Sequence, residues 1–390
     1  MKTVTISRRA ADRLRGGHPW VYRSDIIHAD ALEPGEGVLV QEQGRKRSAA
    51  LGVGFSSTES LLAVRLASRK VQPLDREFLR GRLVAALELR TRAYGGPQEA
   101  FRWVHGEADG IPGLVVDVFG SAVTVQVLAQ GTARLQDEIL SLIDELRAPS
   151  TLVLRNDVPV RQKEGLPLDK RVVKGTETSV RYREGGIALT IDLLGGQKTG
   201  TFLDQRDNHV LAGTLGTGRA LDCFSGDGGF ALQLARRCQS VKAVDQSAPA
   251  AERIAQNARD NALGNVEAVA ANAFDLLREE SDRGVTYDVI VLDPPAFAKG
   301  KHNLEPALRG YKELNLRALK MLSPGGMLVT CSCSQPVDAT MLLEVVQAAA
   351  ADAGKDLQVL MRRGAGPDHP VKVGFPESDY LKCFFLRVMG

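Results

Sequence analysis

The reactive side chains of this sequence fall into three groups: Cys331 and Cys333, the turn Asp293-Pro-Pro-Ala-Phe297, and a glycine-rich loop set between Asp222 and Asp245. C5 of a pyrimidine is a poor nucleophile until a thiolate has added at C6, so a cysteine beside a planar base suits chemistry at that carbon. In an extended strand residues 331 and 333 share a face, which predicts that both thiols turn toward a site or both toward the core. The core alternative stands because a free cysteine packs as a small hydrophobe. Cys223, Cys238 and Cys383 are read as packing residues. Asp293 follows the apolar run Tyr287–Leu292, and two consecutive prolines stiffen the backbone behind it. The carboxylate and the Pro294 carbonyl can then meet the polar edge of a planar nitrogen or nucleobase, with Pro295 and Phe297 beside it. Taken alone this turn suits amino-nitrogen chemistry, and the cysteines shift the weight toward carbon.

These groups need a scaffold that gathers strand ends. Ala220–Phe224 reads as a buried strand, Ser225–Gly229 as a tight turn, and Phe230–Arg237 as a helix start. Glycine lets a ligand approach the backbone, and a helix start offers unpaired N–H groups. A second strand, Val241–Val244, ends on Asp245, whose carboxylate suits two ribose hydroxyls, with Gln246 and Ser247 next to it. The loop does not have the G-x-G-x-x-G spacing of a dinucleotide site, and Asp227 inside it opposes a diphosphate. The pattern Asp222-Cys-Phe224-Ser225-Gly226-Asp-Gly228-Gly229 resembles the S-adenosylmethionine site of class I methyltransferases. Asn272 or Asp275 could reach the adenine amino group, and the Ala273 N–H the ring. Gly195–Arg206 superficially resembles a phosphate loop, but Gln197 breaks the G-K pairing and triphosphate hydrolysis is rejected. Thr199, Phe202 and Arg206 could instead form a lid over the cofactor, or merely a helix cap.

The periodicity predicts strands and helices alternating in a doubly wound parallel sheet of about seven strands over residues 181–390. Residues 71–180 read as a small α/β module, with helices at Leu74–Tyr94 and Thr132–Leu146. Residues 1–70 hold short alternating segments that suggest a small β-barrel. The 390 residues are 44% hydrophobic and 25% charged, ordinary for a globular protein. The net charge of +3 is uneven: 12 basic against 7 acidic residues in 1–70, and near balance elsewhere, which points to an anionic partner at the N-terminus. There Trp20 and Arg23 belong to a stretch of arginines and aromatics suited to phosphates and stacked bases, unless Trp20 and Tyr22 close the barrel core. Five scattered cysteines without a C-x-x-C pair argue against disulfides and against zinc. The lack of a signal-peptide core or a membrane-length apolar run predicts a cytoplasmic location.

Several motifs in order extend the resemblance to the whole chain: Gly17-His-Pro-Trp-Val-Tyr22, Gly196–Arg206, Leu292-Asp-Pro-Pro-Ala-Phe297, Ser332-Cys-Ser334, Asp368-His-Pro370 and Tyr380-Leu-Lys382. In these the chain resembles the bacterial large-subunit (23S) ribosomal RNA cytosine-C5 methyltransferases, which join an N-terminal PUA domain and a central α/β domain to a class I methyltransferase domain. The resemblance implies that Cys333, of Ser-Cys-Ser, is the nucleophile and that Asp293 holds the cytosine N3 and amino edge. Many other RNA cytosine-C5 methyltransferases carry a second cysteine where this chain has Pro295, so product release must be assisted otherwise. The implied partner is 23S RNA with a loosely paired target, and a homodimer is compatible with the sequence. Two other functions remain open at this stage: an N-methyltransferase acting on RNA or protein, and a non-catalytic RNA-binding assembly factor.

Overall fold

The computed structural model describes residues 1–44, 49–196, 199–298 and 300–389, so Gln197 and Lys198 of the Gly196–Arg206 motif lie outside the described residues. Contacts divide the chain into two units. One comprises Met1–Val180, Ile191–Gly200 and Pro367–Ser378; the other comprises Arg181–Thr190, Thr201–Gly366 and Asp379–Gly390. Residues 191–200 and 367–378, within the stretch that the sequence assigns to the catalytic part, therefore group with the first unit.

The first unit begins with β1 (Lys2–Ile6), α1 (Arg8–Arg15), β2 (Trp20–Tyr22), β3 (Ile26–Ala29), β4 (Gly37–Glu42), β5 (Ala49–Ser56) and β6 (Leu62–Ser68). They form a six-stranded sheet in the order β2-β6-β5-β4-β1-β3. The Ser7 hydroxyl caps α1 by accepting from the Ala10 N–H at 3.3 Å, and Ala10, Ala11 and Leu14 bury against Val4, Ile6, Val38 and Val40. The unit continues with α2 (Arg76–Ala93), β7 (Ala100–His105), β8 (Leu114–Phe119), β9 (Ala122–Val127), α3 (Gln130–Arg134), α4 (Gln136–Arg147), β10 (Thr151–Arg155) and β11 (Lys170–Lys174). The sheet order is β11-β10-β9-β8-β7. The single helix expected over 132–146 is two, broken at Leu135, whose ψ of 16° leaves the helical range. Arg90, fully buried on α2, makes a two-bond fork to Asp109 at 2.6 and 2.7 Å and donates to the Asp368 carbonyl at 2.7 Å. The Asp368 carboxylate accepts from the Arg102 N–H and the Tyr94 hydroxyl. The Asp-His-Pro motif is thus a buried clamp inside this unit.

The second unit holds residues 181–190 of the hairpin β12 (Ser179–Glu184) and β13 (Ile187–Asp192), followed by α5 (Arg206–Leu215), β14 (Arg219–Cys223), α6 (Gly229–Ala235), β15 (Ser240–Asp245), α7 (Ala248–Asp260), β16 (Val266–Ala270), α8 (Ala273–Asp282), β17 (Tyr287–Leu292), α9 (Leu304–Met321), β18 (Leu322–Ser332), α10 (Ala339–Ala353), β19 (Leu357–Arg363) and β20 (Lys382–Val388). The seven-stranded sheet runs β16-β15-β14-β17-β18-β20-β19. Strands β14 to β18 are mutually parallel where they pair, and β20 is antiparallel to both its neighbours. Side chains of one strand alternate between two cores: Ile290 and Leu292 pack with α9 and α10, whereas Val289 and Val291 pack with α5, α6 and α7. A parallel sheet covered on both faces leaves only its strand ends open to carry chemistry, and the order reverses beside β14.

Candidate active site

Five parallel strands deliver their carboxyl ends to one edge: β14 ends before Phe224, β15 on Asp245, β16 before Asn272, β17 before Asp293 and β18 before Cys333. Phe224 has φ of 64°, a left-handed conformation that strains a residue with a Cβ and turns the chain sharply into the loop. Two glycines are required for opposite reasons. A side chain on Gly226 would meet no atom within 4 Å among the described residues, so the loop is open there, whereas a Cβ on Gly229 would lie 2.3 Å from the His209 ring. That ring cannot yield easily, because His209 is buried, bonded to Glu184 at 2.7 Å and stacked edge-on to Phe230.

Asp222 is buried beneath the loop. One of its carboxylate oxygens accepts from the Ser225 hydroxyl and the Ala231 N–H, while the other is buried with no hydrogen-bond partner among the described residues. Burial pushes its pKa up to about 7, against the opposing pull of Ser225 and His209. Asp245 is half-buried and accepts from the Gly226 N–H at 3.0 Å and the Ser247 N–H at 2.9 Å, which leaves further lone pairs on both oxygens. Gln246 is exposed; Ser247 caps α7. Asn272 caps α8 by accepting from the Phe274 and Asp275 N–H groups, so its side-chain oxygen is already bonded, and Ala273 opens that helix. Asp227, which weighed against a diphosphate, pairs with Arg253 at 2.9 Å.

The Asp-Pro-Pro turn and the Ser-Cys-Ser turn meet. The Cys333 thiol donates to the Pro294 carbonyl at 3.9 Å, and the Ala298 N–H donates to the Ser334 hydroxyl at 3.1 Å. Tyr311 of α9 ties both serines, with its hydroxyl 2.9 Å from Ser332 Oγ and 2.9 Å from Ser334 Oγ. A file of rings, Phe224, Phe274, Phe297 and Tyr311, with successive centroids 6.2, 5.9 and 4.8 Å apart, runs from the glycine loop to this turn. Pro294 is buried and Pro295 exposed. The Asp293 carboxylate accepts from Gln205 Nε2 at 2.9 Å.

The two cysteines part company, contrary to the shared face that alternation predicts. β18 ends at Ser332, so Cys331 keeps the strand's direction and is buried beside Cys383, while Cys333 has left the strand and is half-buried in the turn. Burial holds the Cys331 thiol far above the ordinary range. Of the expected lid, Phe202 and Arg206 belong to the second unit, flanking the turn Leu203–Gln205, and Arg206 is buried. Thr199 belongs to the first unit, where its hydroxyl donates to Asp117. Trp20 donates from Nε1 to Glu107 at 2.9 Å and packs on Phe375, and Arg23 donates to the carbonyls of Ser57 and Ser60. Sequence reasoning missed Gln205, His209, Tyr311 and Lys382 as supports; the only signal was that Gln205 and Lys382 fall inside quoted motifs.

The first unit also contains a cleft of about 1030 Å³ beside β6 and α2, lined by Arg69, Lys70, Arg82 and Lys372 with Phe78 and Leu66. The acids on its wall are partly engaged: Asp75 caps α2 and Asp109 pairs with Arg90, while Glu77 is exposed. Burial lowers the Lys372 pKa, Arg82 and Arg69 lower it further, and Glu107 opposes them.

Residues 4–69 match a family described as a PUA-like domain, and residues 208–356 match one described as Conserved hypothetical protein 95. A methyltransferase-like protein solved with S-adenosylhomocysteine superimposes with a TM-score of 0.85 over the full length of both chains at 20% identity. Another, from Streptococcus mutans, gives 0.82 at 19%. The fold is that of a PUA-like domain joined to a SAM-dependent methyltransferase domain. The chain is also 36% identical over 383 residues to Ribosomal RNA large subunit methyltransferase I of Photobacterium profundum, with 96% of each covered. The protein of that name from Shewanella amazonensis is 37% identical over 384 residues, with 95% of each covered. The chain therefore belongs to the ribosomal RNA large subunit methyltransferase I family. Among the described residues no helix is long and apolar enough to cross a membrane.

Proposed function

We propose that this protein transfers the methyl group of S-adenosylmethionine to C5 of a cytosine in large-subunit ribosomal RNA, through a covalent adduct on Cys333. The observation that carries the reading is the meeting of the Cys333 thiol with the Asp-Pro-Pro turn, while Cys331 is sealed in the core.

The residues present fit the cofactor. The buried oxygen of Asp222, without a partner among the described residues, suits its α-ammonium, and the open backbone at Gly226 gives it room. Asp245 retains lone pairs for the ribose hydroxyls beside Gln246 and Ser247, Ala273 can offer its N–H to adenine, and Phe224 and Phe274 wall the ring. Phe202 and Arg206 close over it from the second unit. When bound, S-adenosylmethionine supplies an electrophilic methyl carbon whose bond to sulfur breaks with the electron pair left on sulfur.

Cys333 acts by adding its sulfur lone pair to C6, which moves the C5–C6 π pair to C5 and makes that carbon nucleophilic. Asp293, held by Gln205, accepts from the amino group and in its protonated form donates to N3, where negative charge develops in the adduct, taking the proton back as the C6–S bond breaks. After methylation the C5 proton leaves to a solvent base, the C5–H pair re-forms the double bond, and the C6–S bond breaks to return the thiolate. The target base must leave its stack to reach the site, which favours loosely paired RNA. Because Trp20 and Arg23 already have internal partners, the RNA phosphates are assigned to the cleft lined by Arg69, Lys70, Arg82 and Lys372.

An RNA substrate carrying 5-fluorocytosine tests the scheme, because fluorine cannot leave as a proton and the adduct persists. Wild type and Cys331→Ala should give a covalent protein–RNA band and Cys333→Ala none. Cytosine C5 methylation by Cys333→Ala would overturn the mechanism, and a product methylated on nitrogen would replace it.

A further inference from the structure

The Ser-Cys-Ser turn has a cation against it that the scheme above does not use. Lys382 opens β20 and pairs in register with Ser332, the residue before Cys333. It is only 7% exposed, and its ammonium donates to the carbonyls of Ser334 and Tyr380, both at 2.8 Å. Both acceptors are neutral. Two of the three N–H groups are thus engaged by uncharged acceptors, and a buried charge so held lacks full compensation in a medium where Coulomb terms are strong. Burial accordingly pushes the Lys382 pKa down; the acids that oppose this are Cys333 first, then Asp379 and Asp338. Asp379 is exposed, and Asp338 caps α10 by accepting from the Met341 N–H. Tyr311 also feels Cys333, and burial raises its pKa, so it stays neutral; Asp293, one residue before the Pro294 carbonyl that the thiol meets, is the acid whose charge Lys382 has to outweigh.

We propose that Lys382 is a positioning residue whose ammonium, bonded to the carbonyl of the residue after Cys333, holds that cysteine as the thiolate that adds to the base. This rests on the reading of Cys333 as the nucleophile. On ionisation the Sγ proton passes to solvent, Lys382 keeps its three protons, and the freed sulfur pair is the one that forms the bond to C6. The same two hydrogen bonds fix the Ser334 carbonyl, so one side chain sets both the charge and the path of the turn.

The test is alkylation of Cys333 by iodoacetamide on the full chain without RNA, followed by peptide mass spectrometry from pH 5.5 to 10. The wild-type midpoint should lie below the ordinary thiol value of about 8.5. Lys382→Met should move it up by at least about one pH unit, making alkylation at pH 7 roughly tenfold slower, and Lys382→Arg should recover most of the loss. Unchanged S-adenosylmethionine affinity by calorimetry shows that each variant is folded. A Lys382→Met midpoint equal to wild type overturns the proposal, as does a Lys382→Arg midpoint displaced as far as that of Lys382→Met, since packing alone would then explain it. A wild-type midpoint at or above about 8.5 overturns it without any variant. An active Cys333→Ala enzyme would sink the nucleophile while leaving these midpoints as they are, so the two failures are distinguishable.

Discussion

Gln205 Nε2 donates to Asp293 Oδ1 at 2.9 Å, and Gln205 Oε1 accepts from Asn208 Nδ2 at 2.7 Å. The turn Leu203–Gln205 and the first turn of α5 therefore help to orient the carboxylate proposed to hold the target base. Gln205→Leu keeps the volume and removes the donor. Losing a hydrogen bond to a charged group costs about 1.5–3 kcal/mol, so turnover should fall roughly ten- to hundredfold with S-adenosylmethionine affinity unchanged. Single-turnover methylation beside calorimetry separates the two; a parallel loss of cofactor binding would assign Gln205 to the cofactor instead.

Asp222 predicts a pH dependence. Its folded pKa, raised by burial to about 7, lies above the unfolded value of about 3.9. The stability that it contributes as a neutral carboxyl is thus whole below about pH 4 and is lost as pH rises through 7. Thermal melts of the ligand-free protein should show Asp222→Asn gaining on wild type between pH 5 and 8. S-adenosylmethionine affinity of wild type should rise over the same interval, as the ionised carboxylate meets the ammonium. A melting difference that stays flat with pH would refute the assignment.

Gly229→Ala forces a methyl to within 2.3 Å of a His209 ring that Glu184 and Phe230 hold in place. Overpacking of this kind costs about 1–3 kcal/mol, and here the strain falls on the cofactor loop. Chemical denaturation should show the loss, and weaker S-adenosylmethionine binding should accompany it. Gly226→Ala meets no atom within 4 Å among the described residues but stands at φ of 58°, so it should weaken cofactor binding more than it lowers stability.

Cys331→Ser places a hydroxyl beside Cys383 and Phe385, with Gln205 the polar side chain in reach, and should lower stability by at most about 1–3 kcal/mol. Adduct formation on 5-fluorocytosine RNA should survive, because Cys333 is untouched. Denaturation midpoints and the covalent band check the two halves independently.

The double change Arg82→Ala with Lys372→Ala removes two cations from the cleft of the first unit. RNA affinity should drop and the slope of log affinity against log salt should become shallower by about 1.4–1.8, with cofactor affinity unaltered. An unchanged salt slope would take the phosphates away from this cleft.

By itself the sequence determined the order of the parallel strands over residues 219–332, because a sheet buried on both faces writes its strands as apolar runs and its ligand edge as Asp222, Gly226, Asp245 and Asp293; it read Asn272–Asp275 as a loop, where the structure has the cap and first turn of α8. It also marked Asp293-Pro-Pro and the cysteine pair as a reacting edge. Its periodicity could not separate Cys331 from Cys333, which only the Ser-Cys-Ser motif distinguished: alternation assigns both to one face, and the end of β18 at Ser332, a matter of pairing with β17 and β20, turns one inward and frees the other. It read Asp368-His-Pro370 as part of a family pattern without a use; the tertiary structure made that aspartate a clamp on Arg102 and Tyr94, more than 260 residues away in the chain. Gln205, Tyr311 and Lys382 reach Asp293 and the Ser-Cys-Ser turn from three separate elements. Such contacts arise from packing across the chain, and local periodicity carries no record of them.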